Sequence, residues 1–263
     1  MSGTFTQSML DLTHRGAVTV LRMAHGKANA LDLEFCEALT GYLEACERSP
    51  STRALVITGS GAVFSAGVDL LRVVDGGADY VREFLPAMNR MFERLFAFPK
   101  PVVAAVNGHA IAGGCIIVCA ADWRLMTREA GRIGIPELLV GVPFPVVPLE
   151  IMRFATHASQ LQSLAYRGLT LAAAEALQYG LIDSVTDAGR LLDEAMAIAE
   201  SVAALPVEAF ALTKAQLREP ALQRMKAGAS TDVAVQSMWA SAATLGAIQG
   251  YVARTFKKPS GNS

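Results

Sequence analysis

Apolar residues along the chain fall into two rhythms, one with the short reach of buried strands and one with the longer repeat of helices. Compact β-branched and aliphatic runs at 54–58 and 102–106 read as buried strands. Residues 10–12 and 17–22, joined at His14-Arg15-Gly16, read as a hairpin. Leu33, Cys36, Leu39, Tyr42, Leu43 and Cys46 share one face of a helix that Asp32 can cap and Ser49-Pro50 ends. A flexible linker, Asp75-Gly76-Gly77-Ala78-Asp79, precedes a helix predicted over 80–98 and closed by Pro99 and Pro101. The strand at 102–106 is followed by a turn, a helix from about 113 to 120 and a strand at 123–127. Strand, turn and helix therefore recur, with no detectable sequence repeat and no low-complexity segment. Helices dominate from 149 onward, over 149–156, 159–167 and 171–178, the last closed by Gly180, with a short strand at 181–185. Helical stretches at 190–205 and 207–218 then precede a long one from about Pro220 to Gly250.

Composition narrows the class. The 263 residues allow one large core with at most a smaller appendage, so one catalytic body is expected. With 52% hydrophobic and 18% charged residues, much apolar surface must be hidden in the core or between subunits, and a homo-oligomer is expected. A net charge of −1 with dispersed Lys and Arg argues against nucleic acid as a partner. Cys36, Cys46, Cys115 and Cys119 lack CxxC spacing and read as buried thiols of a reducing compartment. Residues 1–7 are polar and carry no secretory pattern, so a cytoplasmic protein is expected. The apolar stretch 101–121 is long enough to cross a bilayer, but Asn107, Gly108, His109 and paired glycines make it strand, turn and buried helix. No membrane span is expected.

Two glycine-marked turns carry the chemistry: Phe64-Ser65-Ala66-Gly67-Val68-Asp69-Leu70 and Asn107-Gly108-His109-Ala110-Ile111-Ala112-Gly113-Gly114-Cys115. Glycine lets the backbone approach a ligand closely, so the Val68 and Gly113 N–H groups are the candidate donors to an oxygen that becomes negative. Gly113 also opens a predicted helix, whose dipole adds to its hydrogen bond. Either turn alone could be an ordinary strand-to-helix connector. A lone acid, Glu137, follows as the candidate proton carrier. Asp69 reads as a helix cap, Asp122 and Arg124 as packing and pairing groups, and His109 as a core hydrogen-bonding residue.

These turns, their order and the segment from Tyr166 to Val185, containing GLTLAAAEALQYGLIDSV, resemble the crotonase family of enoyl-CoA hydratases and isomerases across nearly the whole chain. The resemblance implies an α/β fold, a spiral of repeated ββα units over 1–200 that binds acyl-CoA, with a helical trimerisation region at 201–263. It assigns the oxyanion donors to Val68 and Gly113. Hydratases of the family use two glutamates; here the first position is Ile116 and the second is Glu137. Gly113-Gly114-Cys115 followed by an aliphatic residue, and Glu137 followed by Leu138-Leu139-Val140-Gly141-Val142-Pro143-Phe144, resemble the Δ3,Δ2-enoyl-CoA isomerase branch.

Isomerisation needs only one carboxylate that removes a proton from C2 and returns it at C4. By the same resemblance Lys27 and Ala28, in Gly26-Lys27-Ala28-Asn29-Ala30-Leu31, meet the phosphates and pantetheine. The segment 62–66, with Ala62, Phe64 and Ala66, lines the adenine end and places the thioester. Leu70 and the residues to Tyr80 cover the acyl chain, with Phe84 and Phe144 as walls, and Phe256, Lys257 and Lys258 reach a neighbouring subunit's nucleotide. The implied assembly is a trimer or a dimer of trimers, with no metal and no cofactor beyond the coenzyme A of the substrate. A hydratase with another second acid, a decarboxylase and a non-catalytic acyl-CoA-binding protein are the alternatives.

Overall fold

Side chains that alternate along the first strands set the layers of the molecule, seen here in a computed structural model that describes residues 9–129 and 131–256. β1 (Leu10–Arg15) and β2 (Val18–Met23) form the predicted hairpin, turning at Gly16, where φ is +59°. Asp32 caps α1 (Leu33–Arg48) by accepting from the Phe35 N–H at 2.8 Å. Three strand-strand-helix units follow. They are β3 (Ala54–Gly59), β4 (Val63–Ser65) and α2 (Leu70–Phe96); β5 (Val102–Val106), β6 (His109–Ile111) and α3 (Gly113–Ala120); and β7 (Trp123–Thr127), β8 (Ile133–Gly134) and α4 (Glu137–Val140). This is the ββα spiral. The chain continues through α5 (Val146–Ala155), α6 (Ala158–Arg167), β9 (Thr170–Leu171), α7 (Ala173–Gln178), β10 (Ser184–Thr186), α8 (Leu191–Ala203), α9 (Val207–Ala227), α10 (Ala229–Trp239) and α11 (Ala242–Phe256).

The first strand of each unit joins a six-stranded sheet in the order β1-β2-β3-β5-β7-β10, parallel from β2 onward. The second joins a smaller sheet, β4-β6-β8-β9. In the large sheet Leu55, Ile57, Val102, Ala104 and Val106 face the main core, while Ala54, Val56, Val103 and Ala105 face α8. Ala195, Ala199 and Ala203 let that helix lie close to the sheet. Both faces of the central strands are covered, which is why they read as continuous apolar runs. Ala221, Met225, Val235, Trp239 and Ile248 carry α9, α10 and α11 into the main core.

Four sequence expectations are corrected. The linker expected at 75–79 narrows to a break at Gly77 (φ 61°, ψ −149°), a non-helical residue between two helical segments that run on as α2. Its apolar face, from Val73 through Val81 and Leu85 to Phe96, is buried on both sides of the kink, and that burial keeps the residues flanking Gly77 helical. Pro220 does not start a helix but sits within α9. Arg218 on one side of it donates to the carbonyls of Phe96 and Ala120 and to Asp122 Oδ1, while Ala221 and Met225 on the other are core residues. The long stretch expected to Gly250 is three helices, broken at Gly228 and at Ser241, whose Oγ accepts from the Thr244 N–H. The strand expected at 181–185 is Ser184–Thr186, because Leu181 and Ile182 are drawn into the core. Segment 101–121 is strand, turn and helix, and among the described residues no single helix is long and apolar enough to cross a membrane.

Candidate active site

The small sheet gathers the chemistry. β4, β6 and β8 are adjacent and parallel, with Val63 opposite His109, Ala110 opposite Ile133 and Ile111 opposite Gly134. Neighbouring strands stand about 4.8 Å apart. Just past their carboxyl ends come Val68, Gly113 and Glu137 respectively. Three groups far apart in sequence thus meet at the carboxyl end of one sheet, where α/β sheets commonly hold ligands.

Local geometry decides where the amides point. Leu31 forms a parallel bridge with Val68: its N–H donates to Gly67 O at 2.8 Å and its carbonyl accepts from the Asp69 N–H at 2.9 Å. In that pattern the Val68 N–H faces away from Leu31. Gly113 is the first residue of α3, so its N–H has no acceptor within the helix. Among the described residues neither amide has a protein acceptor. The preceding residue, Ala112, has φ +51° and ψ −120°, a conformation that costs a non-glycine residue about 1–3 kcal/mol. Its N–H is tied to Gly134 O at 2.8 Å, which holds the strained turn in place.

The two turns pack directly on one another. A Cβ on Gly67, whose φ is +81°, would stand 2.6 Å from Ile111 O and 3.0 Å from Gly113 N. One on Gly114 would stand 2.3 Å from Ser65 O. Only glycine permits this approach, and with it the shared setting of the Val68 and Gly113 amides.

Glu137 opens α4 and lines a cavity of about 410 Å³ that Val68 and Gly113 also line. The residue as a whole keeps partial exposure, but Oε2 is sealed from solvent and has no hydrogen-bond partner. Desolvation of that oxygen pushes the carboxyl from its ordinary 4.5 up to about 8, and a hydrogen bond to its own main chain offsets this only in part. Gly141, left-handed at φ 93°, closes α4, and its N–H and that of Val142 both donate to Glu137 O at 3.1 Å. Ile116, fully buried on α3, also lines the cavity. The other carboxylate on the lining, Asp69, caps α2 by accepting from the N–H groups of Leu71 and Arg72 at 3.0 and 3.1 Å. Among the described residues one lining carboxylate is therefore left for chemistry.

Of the remaining candidates, Ala28, Ala66, Leu70 and Phe144 line the cavity, and the Ala66 N–H donates to Ala28 O at 2.9 Å. Lys27 is exposed in the turn beside Ala28 and does not form the cavity wall. Ala62 is exposed in the turn before β4, packed against Gly108 and away from the cavity. Phe64 is enclosed in the core, because strand alternation in β4 turns its side chain inward. Phe84 is likewise buried, stacked on Tyr80 with ring centroids 5.5 Å apart, and Leu70 and Leu71 of the now helical segment take the place on the wall. Phe256 ends α11, while Lys257 and Lys258 lie outside the described residues.

Sequence reasoning missed three positions. Buried Asn29, with φ +47°, donates from Nδ2 to the carbonyls of Val63 and Phe64, both at 3.1 Å, and accepts from the His25 N–H at 2.9 Å. It staples the loop at 26–31 to β4, and an Asn near a glycine was the available signal for a left-handed residue. Ala112 carried no such signal. Trp239 reaches the cavity from α10, remote in sequence from the rest of the lining.

Comparison with known proteins follows the same lines. The model of the enoyl-CoA hydratase/isomerase family matches residues 13–255. A Thermus thermophilus protein provisionally named an enoyl-CoA hydratase is 37% identical over 191 residues, 72% of this chain and 75% of its own length. Human mitochondrial enoyl-CoA delta isomerase 1 is 28% identical over 218 residues, 82% of this chain and 72% of that protein. The crystal structure of human mitochondrial Δ3,Δ2-enoyl-CoA isomerase superposes with a TM-score of 0.89 at 27% identity, covering 94% of this chain and 98% of that one.

Proposed function

This chain belongs to the enoyl-CoA hydratase/isomerase family of enzymes, and within it we propose that the protein converts 3-enoyl-CoA to 2-enoyl-CoA with Glu137 as the single proton carrier. The observation that carries this reading is a carboxylate whose Oε2 is sealed and unpartnered, on an apolar cavity where the other catalytic position is Ile116. Ionised Glu137 takes a proton from C2, and the C–H electrons move toward the thioester carbonyl to give a dienolate. The Val68 and Gly113 amides stabilise its oxygen; loss of one such donor typically costs about 3 kcal/mol. The protonated Glu137 then delivers its proton to C4, the double bond settles between C2 and C3, and the carboxylate is restored.

Burial serves this cycle twice. It raises the basicity of Glu137 toward that needed for carbon acids, and it keeps water from the dienolate. Hydration would need a second group to position water, and the aliphatic Ile116 offers none. In the same reading Lys27, at the turn next to Ala28, meets the phosphates of coenzyme A, and no further cofactor takes part. Exposed Phe154, Leu212 and Leu217 give apolar surface for a trimer or a dimer of trimers. The alternative within the family is hydration, the activity in the name of the Thermus relative. Parallel assays decide: double-bond migration in 3-enoyl-CoA without 3-hydroxyacyl-CoA formation from 2-enoyl-CoA supports isomerisation, and the converse refutes it.

A further inference from the structure

We propose that Trp239 is the specificity-determining residue that sets the upper limit on acyl-chain length. The inference rests on the reading above only in taking the ligand to be an acyl-CoA. Coenzyme A is far larger than a cavity of about 410 Å³, so it must leave through the open side. That side is marked by exposed lining residues, Ala66, Thr255 and Leu71, the last 55% exposed. With the thioester held between Val68 and Gly113, the carbons beyond C4 have one direction left, toward the closed end. There the lining is buried: Met88, Phe92, Val142, Pro148 and Trp239, which is 2% exposed.

Trp239 contributes to that end in two ways. Its indole forms part of the wall, and its Nε1–H donates to Pro143 O at 2.9 Å. The hydrogen bond pins the segment whose next residues, Phe144 and Pro145, are themselves cavity wall. Asp232, on the same helix, accepts from the Val146 N–H at 2.8 Å, so α10 clamps both ends of this segment. An indole is rigid and its one polar atom is satisfied, so the wall does not yield to an extra methylene.

The test is calorimetric binding of saturated straight-chain acyl-CoA thioesters, from butanoyl- to hexadecanoyl-CoA, to the wild type, Trp239→Leu and Trp239→Phe. Saturated ligands cannot react, so the readout is independent of isomerase chemistry. In the wild type, affinity should rise about fourfold per methylene and stop rising once the chain meets the indole. Trp239→Leu should extend the rise by roughly two methylenes, about fifteenfold tighter binding of thioesters of that length. Trp239→Phe should move the limit in the same direction by less. An unchanged limit in folded Trp239→Leu overturns the proposal, and if that variant does not fold, an unchanged limit in Trp239→Phe does so. A shifted limit in a protein that never turns over 3-enoyl-CoA would sink the proposed reaction and leave this inference standing.

Discussion

Replacing Glu137 by Gln should destroy activity and, above neutral pH, stabilise the fold. The carboxyl moves from 4.5 to about 8 because burial desolvates it, with Oε2 sealed and without a partner. Between those values the folded protein binds a proton that the unfolded chain has released, so the contribution of this group to stability is fullest below pH 4.5, falls as pH rises toward 8 and levels off above it. The interval corresponds to as much as about 5 kcal/mol at 1.36 kcal/mol for each tenfold step in acidity. Glutamine cannot ionise and escapes this loss. Urea unfolding of both proteins from pH 4.5 to pH 9 should therefore show the difference moving in favour of Glu137→Gln up to about pH 8 and levelling beyond it, whatever fixed cost the buried amide carries. Turnover should fall about 10²–10⁴-fold, the usual worth of a general acid–base group. Wild-type kcat/KM should rise tenfold per pH unit until about pH 8 and then level, a limb missing from the variant's residual activity. Stability curves that stay parallel across the range would refute the sealed carboxylate, and turnover within tenfold of wild type would refute its role.

Other perturbations test the scaffold. Gly67→Ala combines φ +81° with a Cβ 2.6 Å from Ile111 O, and should cost roughly 2–4 kcal/mol in thermal or denaturant unfolding while cutting kcat by separating the two amides. Gly41→Ala is the control: it lies in α1 with open space around its Cβ position, and should stabilise by up to about 1 kcal/mol with activity intact. Asp122→Ala removes the acceptor of Lys214 and Arg218, both at 2.7 Å, and leaves two buried cations unpaired, for an expected loss of about 3–5 kcal/mol by urea unfolding.

The sequence by itself determined the parts whose causes are local. Apolar periodicity and a capping Asp placed α1; β-branched runs placed β3 and β5; and paired glycines marked the turns that carry Val68 and Gly113. Glu137 was identified by a motif as the proton carrier, yet how far its basicity is raised was not legible, because desolvation is a property of the cavity around it and not of the few residues that bear it. The same distinction explains the misreadings. Gly76-Gly77 has the composition of a linker, but burial of the faces on either side holds it as a bend in α2. Pro220 has the look of a helix start, but contacts from Arg218 to residues about a hundred positions away carry α9 through it. Phe64 points into the core because strand alternation in the paired β4 turns it inward, and Trp239 lines the cavity because α10 returns to a segment almost a hundred residues earlier. Propensity and periodicity act over a few residues, whereas pocket shape, strand facing and the basicity of a buried acid arise only when distant segments exclude water from one another.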